Sequence, residues 1–221
     1  MANYAVDSKI LQSYLPPKTE IDLWNNTCYV SLVGFMFLNT SVLGFKIPFH
    51  INFEEVNLRF YVRYKEGNEW KRGVVFIKEI VPRAALTFVA NTIYKEHYET
   101  MPMSHNWEVS QSLLTVEYKW KKEKWNSFKV TAGKNATDIP AGSEEEFITE
   151  HYWGYTKHNQ STSEYGVEHP RWQVYQCQSY SIDVDFNRIY GSDFSFLKDE
   201  KPTSVFLAEG SEIVVRKGRR I

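Results

Sequence analysis

Apolar and polar residues alternate with a period of two over much of the chain, which is typical of β-strands. Residues 27–37 are rich in β-branched and aromatic side chains and predict a strand. Residues 53–64 and 71–81 are separated by a turn at 67–68 and predict a β-hairpin. Further strands are predicted over 43–49, 106–111, 113–121, 125–132, 151–157, 164–168, 172–185 and, paired around Glu209-Gly210, 204–208 and 212–216.

Helical segments are few and short. Asp7 is placed to cap a helix over residues 8–11, and residues 83–98 carry apolar side chains at helical spacing. Ser143 followed by three glutamates predicts another short helix, because a capping serine and acidic residues stabilise a helix start. A last helical turn is expected near 186–190.

Composition supports one folded domain over residues 1–221. Aromatic residues make up 16% of the chain, which favours strands. The 43% of hydrophobic and 24% of charged residues are ordinary for a globular protein. With about ten strands and no break in composition, the predicted fold class is mainly β (β-rich α+β). We expect an antiparallel meander, closed or folded on itself into a barrel or cone, with a few short helices.

Charge and cysteine content argue against several classes of partner. The net charge of -1 provides no concentrated basic face for nucleic acid. Cys28 and Cys177 have no metal-like spacing, and no apolar leader is present in residues 1–12. No apolar run approaches the roughly 18 residues of a membrane span. We therefore expect a cytoplasmic protein with neither nucleic acid nor membrane as a partner.

One strand carries the best indication of a site. Side chains on a strand alternate between faces, so a polar row shares one face of the predicted strand 53–64 and consists of Glu55, Asn57, Arg59, Tyr61 and Arg63. This row either faces water or lines a pocket. Glu55 and Arg59 lie about 13 Å apart at their Cα atoms and do not neutralise each other. If they are buried, each needs a partner from another strand or from a ligand.

Three acids are candidate partners for Arg59, namely Glu150, Asp183 and Asp185. Asp183 and Asp185 share one strand face, for which a structural salt bridge is the simpler use. A carboxylate ligand would also suit Arg59, because a guanidinium can hold a carboxylate through two hydrogen bonds.

The segment Phe-Glu-Glu-Val-Asn-Leu-Arg-Phe-Tyr-Val at 53–62 resembles the signature of the YqjF-like family of uncharacterised bacterial proteins. Shorter motifs fit in the same order and lie at 15–17 with Glu20 and Asp22, 30–35, 73–76, 150–152 and 169–172. That family resembles the acetoacetate decarboxylase superfamily, whose fold is a β-cone or barrel around a polar cavity. The resemblance therefore favours a polar row that points inwards.

The resemblance does not extend to the decarboxylase chemistry. Those enzymes form a Schiff base through a lysine amine whose pKa is lowered by desolvation or by a neighbouring cation. The corresponding position falls near Tyr98, and the family's Gly-Arg-Glu and Pro-Lys motifs are missing. Lys95 lies one turn earlier beside Glu96, a neighbour that would raise its pKa. The pair Lys121-Lys122 falls in a charged turn. We expect no Schiff-base lysine.

Three functional hypotheses remain. The leading one is a protein that binds a small anionic, keto-acid-like metabolite through Glu55, Asn57, Arg59, Tyr61 and Glu150. The second is an acid/base enzyme in which Glu55 or Glu150 carries a proton. The third is a structural or interaction module that forms a homodimer. The histidines and cysteines show no metal-ligand spacing and no nucleotide motif occurs, so neither metal nor cofactor is expected.

Overall fold

The computed structural model describes residues 1–38, 52–89, 91–92 and 96–221. Within these ranges the chain forms fifteen strands, which are β1 (Ala2–Val6), β2 (Thr19–Ile21), β3 (Cys28–Phe37), β4 (Phe53–Glu66), β5 (Glu69–Val81), β6 (Tyr98–Thr100), β7 (Met103–Val109), β8 (Leu113–Lys122), β9 (Lys124–Asp138), β10 (Trp153–His158), β11 (Ser161–Glu168), β12 (Gln173–Asp183), β13 (Ser204–Ala208), β14 (Val214–Val215) and β15 (Arg219–Arg220). The helices are α1 (Ala84–Val89), α2 (Glu144–Thr149) and α3 (Phe186–Tyr190), with 3₁₀ turns at Ser8–Leu11 and Ser192–Lys198.

All of these strands belong to one sheet, in the order β14-β11-β10-β5-β4-β3-β1-β13-β12-β9-β8-β7. The three remaining strands lie beside this path, β15 on β11, β2 on β4 and β6 on β5. Most neighbours are antiparallel, but β5 pairs in parallel with both β10 and β6, so the sheet is mixed. The strand-rich fold class is confirmed. Closure into a barrel is wrong for the described residues, because β14 and β7 end the path without pairing, whereas a barrel needs its end strands paired.

The sheet folds over itself around an apolar core. Leu58 and Phe60 lie on the apolar face of β4 and are fully buried. They belong to the same core cluster as Tyr118 and Trp120 of β8, a strand from the opposite end of the sheet. Gly34 of β3 allows this approach, because a Cβ there would lie 2.7 Å from the ring of Tyr118. The two halves of the sheet therefore pack face to face at this point.

The opposite face of β4 is covered by the short helix α2. Ser143 caps that helix, since its hydroxyl accepts a hydrogen bond from the backbone N–H of Glu146 at 3.2 Å. Phe147 and Ile148 are buried from α2 against Tyr61 of β4. This arrangement encloses the polar row of β4 rather than leaving it in water.

Local signals predicted the local elements well. The hairpin β4–β5, the meander β7–β8–β9 and the capped helix α2 are all present. The helix expected over 83–98 is wrong in extent, since α1 ends at Val89 and Tyr98–Thr100 forms β6. The expected final pair is also wrong, because β13 pairs with β1 and β12 while β14 pairs with β11. The strand expected over 43–49 lies outside the described residues.

Strand β1 was not predicted from the sequence, although it joins β3 to β13 at the middle of the sheet. Among the helices in the described ranges, none has both the length and the apolar character needed to cross a bilayer.

Candidate functional site

The polar row of β4 points into the protein over most of its length. Glu55 and Asn57 are each 1% exposed, and Tyr61 is fully buried. Arg59 is half-buried between them. At its end the row reaches the surface, where the guanidinium of Arg63 pairs with the exposed Glu20. The alternation in this strand therefore separates an apolar core from a second, polar interior.

Three strands bring polar side chains together in one cross-strand row. Asn57 of β4 lies directly opposite Glu79 of β5, and Glu79 lies opposite Tyr98 of β6. Glu79 is 2% exposed and Glu96, just before β6, is 7% exposed. We call Glu55, Asn57, Glu79 and Glu96 the acid cluster.

Hydrogen bonds satisfy only part of the acid cluster. Glu55 accepts hydrogen bonds from the amide of Asn57 at 2.9 Å and from the hydroxyl of Tyr98 at 3.1 Å. Glu96 accepts a hydrogen bond from Thr156 at 2.6 Å. Three buried acceptor atoms have no partner among the described residues, and they are Asn57 Oδ1, Glu79 Oε2 and Glu96 Oε2. Such atoms cost free energy unless something else donates to them.

A glycine allows a second tyrosine to reach the acid cluster. Gly154 of β10 lies opposite Tyr165 of β11, and a Cβ on this glycine would overlap the tyrosine ring. Tyr165 approaches Glu96 closely enough to affect the pKa of that carboxyl. The site is therefore built from β4, β5, β6, β10 and β11.

Burial shifts the pKa of all three glutamates upward. It raises the pKa of Glu55 to about 7, against the opposing effects of Asn57, Tyr98 and the positive charge of Arg59. Burial also raises the pKa of Glu96 to about 7. The pKa of Glu79 is raised well above its ordinary value by burial and by the neighbouring carboxyls of Glu96 and Glu55. Glu55 and Glu96 can therefore exchange protons near neutral pH.

Arg59 is the cation next to the acid cluster. Its Nη2 donates to the carbonyl oxygen of Ile148 at 3.3 Å, and its Cζ lies 5.7 Å from the centre of the Tyr61 ring. Its Nε is buried without a hydrogen-bond partner, and within the described part of the chain it forms no salt bridge. This guanidinium therefore has an N–H donor and a positive charge that are available to bind another group.

On the far side of Arg59, Tyr61 packs against a buried histidine. The His151 ring lies 4.8 Å from the Tyr61 ring, and His151 Nε2 lies 3.1 Å from Asp22 Oδ2. Arg72 donates to the same oxygen at 2.6 Å. Burial lowers the pKa of His151 to about 4, against the raising effect of Asp22. A neutral histidine therefore donates from Nε2 to an ionised aspartate.

The structure does not bring the other predicted acids to Arg59. Glu150 ends α2 and accepts a hydrogen bond from Tyr152. Asp183 pairs in register with Ser127 of β9, and Asp185 caps α3. Lys95 lies outside the described residues. No group of three or more metal-ligating side chains in the described ranges has the arrangement needed to hold a metal ion.

Sequence reasoning missed Glu79, Glu96 and Tyr165 as members of the site. Glu79 carried a usable signal, since it is an acid near the end of the mostly apolar run at 73–81. The register between β4 and β5 shifts between Leu58 and Arg59. This shift interrupts the alternation of side chains along β5, so the sequence does not indicate on which face Glu79 lies. Glu96 and Tyr165 carried no local signal, because only the pairing of distant strands brings them to β4.

A cleft of about 520 Å³ lies beside β10 and β11, and its lining includes both basic and acidic side chains. Its cations are largely neutralised: Lys71 pairs with Glu66 and Glu164, and Arg216 pairs with Glu168. The Arg59 site differs from this cleft because Arg59 forms no salt bridge with any residue that the structure describes.

Comparison with known proteins identifies relatives of unknown activity. A family model for DUF2071, described as an uncharacterized conserved protein, matches residues 1–212. The uncharacterized protein YqjF of Bacillus subtilis is 25% identical over 206 residues, which cover 91% of this chain and 81% of that protein.

Solved structures with a similar fold are enzymes. Acetoacetate decarboxylase from Legionella pneumophila has a TM-score of 0.60 at 14% identity, covering 100% of this chain and 82% of that one. The enduracididine biosynthesis enzyme MppR has a TM-score of 0.62 at 12% identity, covering 99% and 86%. An acetoacetate decarboxylase-like enzyme from Sphingomonas wittichii RW1 has a TM-score of 0.57 at 10% identity, covering 99% and 86%. At these identities the similarity establishes an acetoacetate decarboxylase-like fold.

Proposed function

Because the chain belongs to the DUF2071 family and has an acetoacetate decarboxylase-like fold, we propose that it binds a small carboxylate-bearing metabolite on the polar face of β4. Arg59 holds the carboxylate, and Glu55, Asn57 and Tyr61 complete the surroundings. The observation that carries the proposal is the buried Nε of Arg59, which has neither a hydrogen-bond partner nor a carboxylate among the described residues.

The chemistry of Arg59 favours a carboxylate over other groups. A guanidinium presents a planar fork of N–H donors that matches the two oxygens of a carboxylate. A positive charge in a partly desolvated place is costly unless an anion compensates it. One related fold supports the ligand class, since MppR has been solved in complex with pyruvate, a small keto acid.

A binding titration with matched variants tests this function. Calorimetric titration of pyruvate, acetoacetate and other short carboxylates into the wild-type protein should detect binding, and Arg59→Met should weaken it at least about tenfold, since a charged hydrogen bond is lost. Arg63→Met is the control, because Arg63 lies on the same face of β4 but pairs with Glu20 at the surface. Binding that survives Arg59→Met, or no binding of any carboxylate, refutes the proposal.

Glu55 favours a second candidate function, acid/base catalysis on the bound molecule. A carboxyl whose pKa is near 7 exchanges protons efficiently at neutral pH. Incubation of the protein with keto acids, followed by product analysis, would give a product that disappears in Glu55→Gln while carboxylate binding persists. Turnover that is unchanged in Glu55→Gln excludes Glu55 as the proton carrier.

The proposed function does not use a Schiff base. The resemblance would place the reactive lysine near Tyr98, whose hydroxyl donates a hydrogen bond to Glu55. Treatment with borohydride and a keto acid should therefore leave the mass of the protein unchanged. A covalent adduct would contradict this point and would map the reacting amine directly.

A further inference from the structure

Among the described residues, some acceptor atoms of the acid cluster receive no hydrogen bond, and the Nε of Arg59 has no acceptor. Within the described part of the chain, three buried acceptor atoms of the cluster have no hydrogen-bond partner, and they are Asn57 Oδ1, Glu79 Oε2 and Glu96 Oε2. The residues that carry them are all more than nine-tenths buried. A carboxylate on Arg59 would satisfy the cation and would leave these three acceptors as they are. A ligand that fits the whole site therefore carries donors at its other end.

We propose that the acid cluster binds the ammonium group of a short amino acid whose carboxylate Arg59 holds. This inference rests on the function proposed above and specifies its ligand class. An ammonium group has three N–H donors and no acceptor, so it can donate to the open oxygens of the acid cluster and, as a cation, favours the ionised form in which those oxygens accept. A hydroxyl offers one donor and a keto oxygen offers none, so hydroxy and keto acids leave acceptors unsatisfied.

The spacing along the strands agrees with a short ligand. Asn57 and Arg59 are two residues apart on one face of β4, which places their Cα atoms about 7 Å apart. Glu79 lies directly opposite Asn57 on β5 and is therefore a diagonal neighbour of Arg59 across the two strands. The side chains that would hold the two ends of the ligand therefore start from nearby positions on adjacent strands, which favours a short ligand.

The charges in the site agree with a zwitterion. Glu55 is close enough to Arg59 for the arginine charge to act on its carboxyl, and Glu79 and Glu96 lie close to Glu55. The acid cluster therefore attracts a cation, and Arg59 attracts an anion. An anionic keto acid would place its second polar end against carboxyl oxygens. An ammonium group would instead favour the ionised form of those carboxyls. Because the acid cluster and Arg59 carry opposite charges, they also determine the orientation of the ligand in the site.

Three ligands of the same size test the inference. Alanine, lactate and pyruvate share a carboxylate and a three-carbon frame, and they differ in having an ammonium, a hydroxyl or a keto group. Calorimetric titration at pH 8 should show alanine binding at least about tenfold more tightly than lactate or pyruvate, as expected for charge-assisted hydrogen bonds. Longer pairs, β-alanine with 3-hydroxypropionate and γ-aminobutyrate with 4-hydroxybutyrate, extend the comparison to other chain lengths.

Glu79→Gln provides the matched variant. The amide keeps the shape of the side chain and removes a buried ionisable group, so the fold is expected to persist, which circular dichroism checks. Alanine affinity should fall about tenfold while lactate affinity changes by less than about twofold. Glu54→Gln is the control, because Glu54 lies on the same strand but pairs with His105 outside the acid cluster.

The outcomes separate this inference from the proposed function. If lactate or pyruvate binds through Arg59 as tightly as alanine does, the amino-acid inference is wrong and the carboxylate site stands. If no member of the series binds, or if binding ignores Arg59→Met, both fail. Loss of the alanine preference in Glu79→Gln, with binding through Arg59 retained, supports both.

Discussion

At the scale of one residue, the buried carboxyl of Glu79 is the reason to expect a ligand on the polar face of β4. Its carboxyl is buried opposite Asn57 and close to two further glutamates, and one of its oxygens has no partner among the described residues. Like charges and desolvation both act against its ionised form. A group that destabilises the folded chain in this way is a candidate for function, since burial and charge neighbours perturb pKa values most at functional sites.

Replacing Glu79 by glutamine should change how stability depends on pH. A carboxyl whose pKa in the folded protein lies above the ordinary value of 4.5 favours folding in its protonated form. This contribution to the free energy of unfolding is fully present below pH 4.5 and is lost as the pH rises through the folded pKa. The wild-type free energy of unfolding should therefore fall between pH 5 and pH 8, and Glu79→Gln should reduce that fall by about 1 kcal/mol or more.

Urea denaturation at the two pH values measures this effect. Glu55 and Glu96 face the same place and titrate in both proteins, whereas Tyr98 and Tyr165 stay protonated because their pKa values are raised above the ordinary value of 10. Only the difference between variant and wild type is therefore interpreted. An equal fall in both proteins would mean that the Glu79 carboxyl keeps its ordinary pKa.

Asp22 should matter much more for stability than the neighbouring Glu20. Asp22 is buried and accepts hydrogen bonds from both Arg72 and His151, whereas Glu20 forms an exposed pair with Arg63. Asp22→Asn should therefore lower the free energy of unfolding by about 1–3 kcal/mol, and Glu20→Gln by less than about 1 kcal/mol. Equal losses in urea denaturation would contradict the assignment of Asp22 as a buried ionic anchor.

At the scale of single elements, sequence patterns were reliable where the contacts are local. The alternation at 53–64 predicted β4 and its two faces, and a turn predicted its hairpin with β5. The pattern at 83–98 misled because helical spacing continues past Val89, while Tyr98–Thr100 gains a parallel partner in β5. Parallel pairing joins segments across a connection and leaves no short-range signal.

Strand β3 should tolerate no side chain at Gly34. Alanine there would bring a Cβ to 2.7 Å from the ring of Tyr118, so this substitution should lower the free energy of unfolding by about 1–3 kcal/mol. Gly133→Ala in β9 is the matched control, since its nearest neighbour would lie 3.6 Å away. Thermal unfolding of both variants measures the difference. Equal melting temperatures would mean that β3 and β8 do not pack closely.

At the scale of the whole molecule, one sheet carries both an apolar core and a polar interior. The sheet turns back on itself so that β8 covers the apolar face of β4, while α2 covers part of the polar face. The sequence, with its family resemblance, predicted the fold class and the inward Glu55, Asn57 and Tyr61. Glu96 and Tyr165 could not be predicted, because they reach β4 only after distant segments have paired around β5.

A crystal structure of the protein grown with saturating alanine tests the central claim most directly. We expect the alanine carboxylate within hydrogen-bond distance of the Arg59 guanidinium, and its nitrogen within reach of Asn57 Oδ1 and Glu79 Oε2. Alanine bound instead in the cleft beside Lys71 and Arg216, or bound with its carboxylate away from Arg59, would contradict the site proposed for this fold.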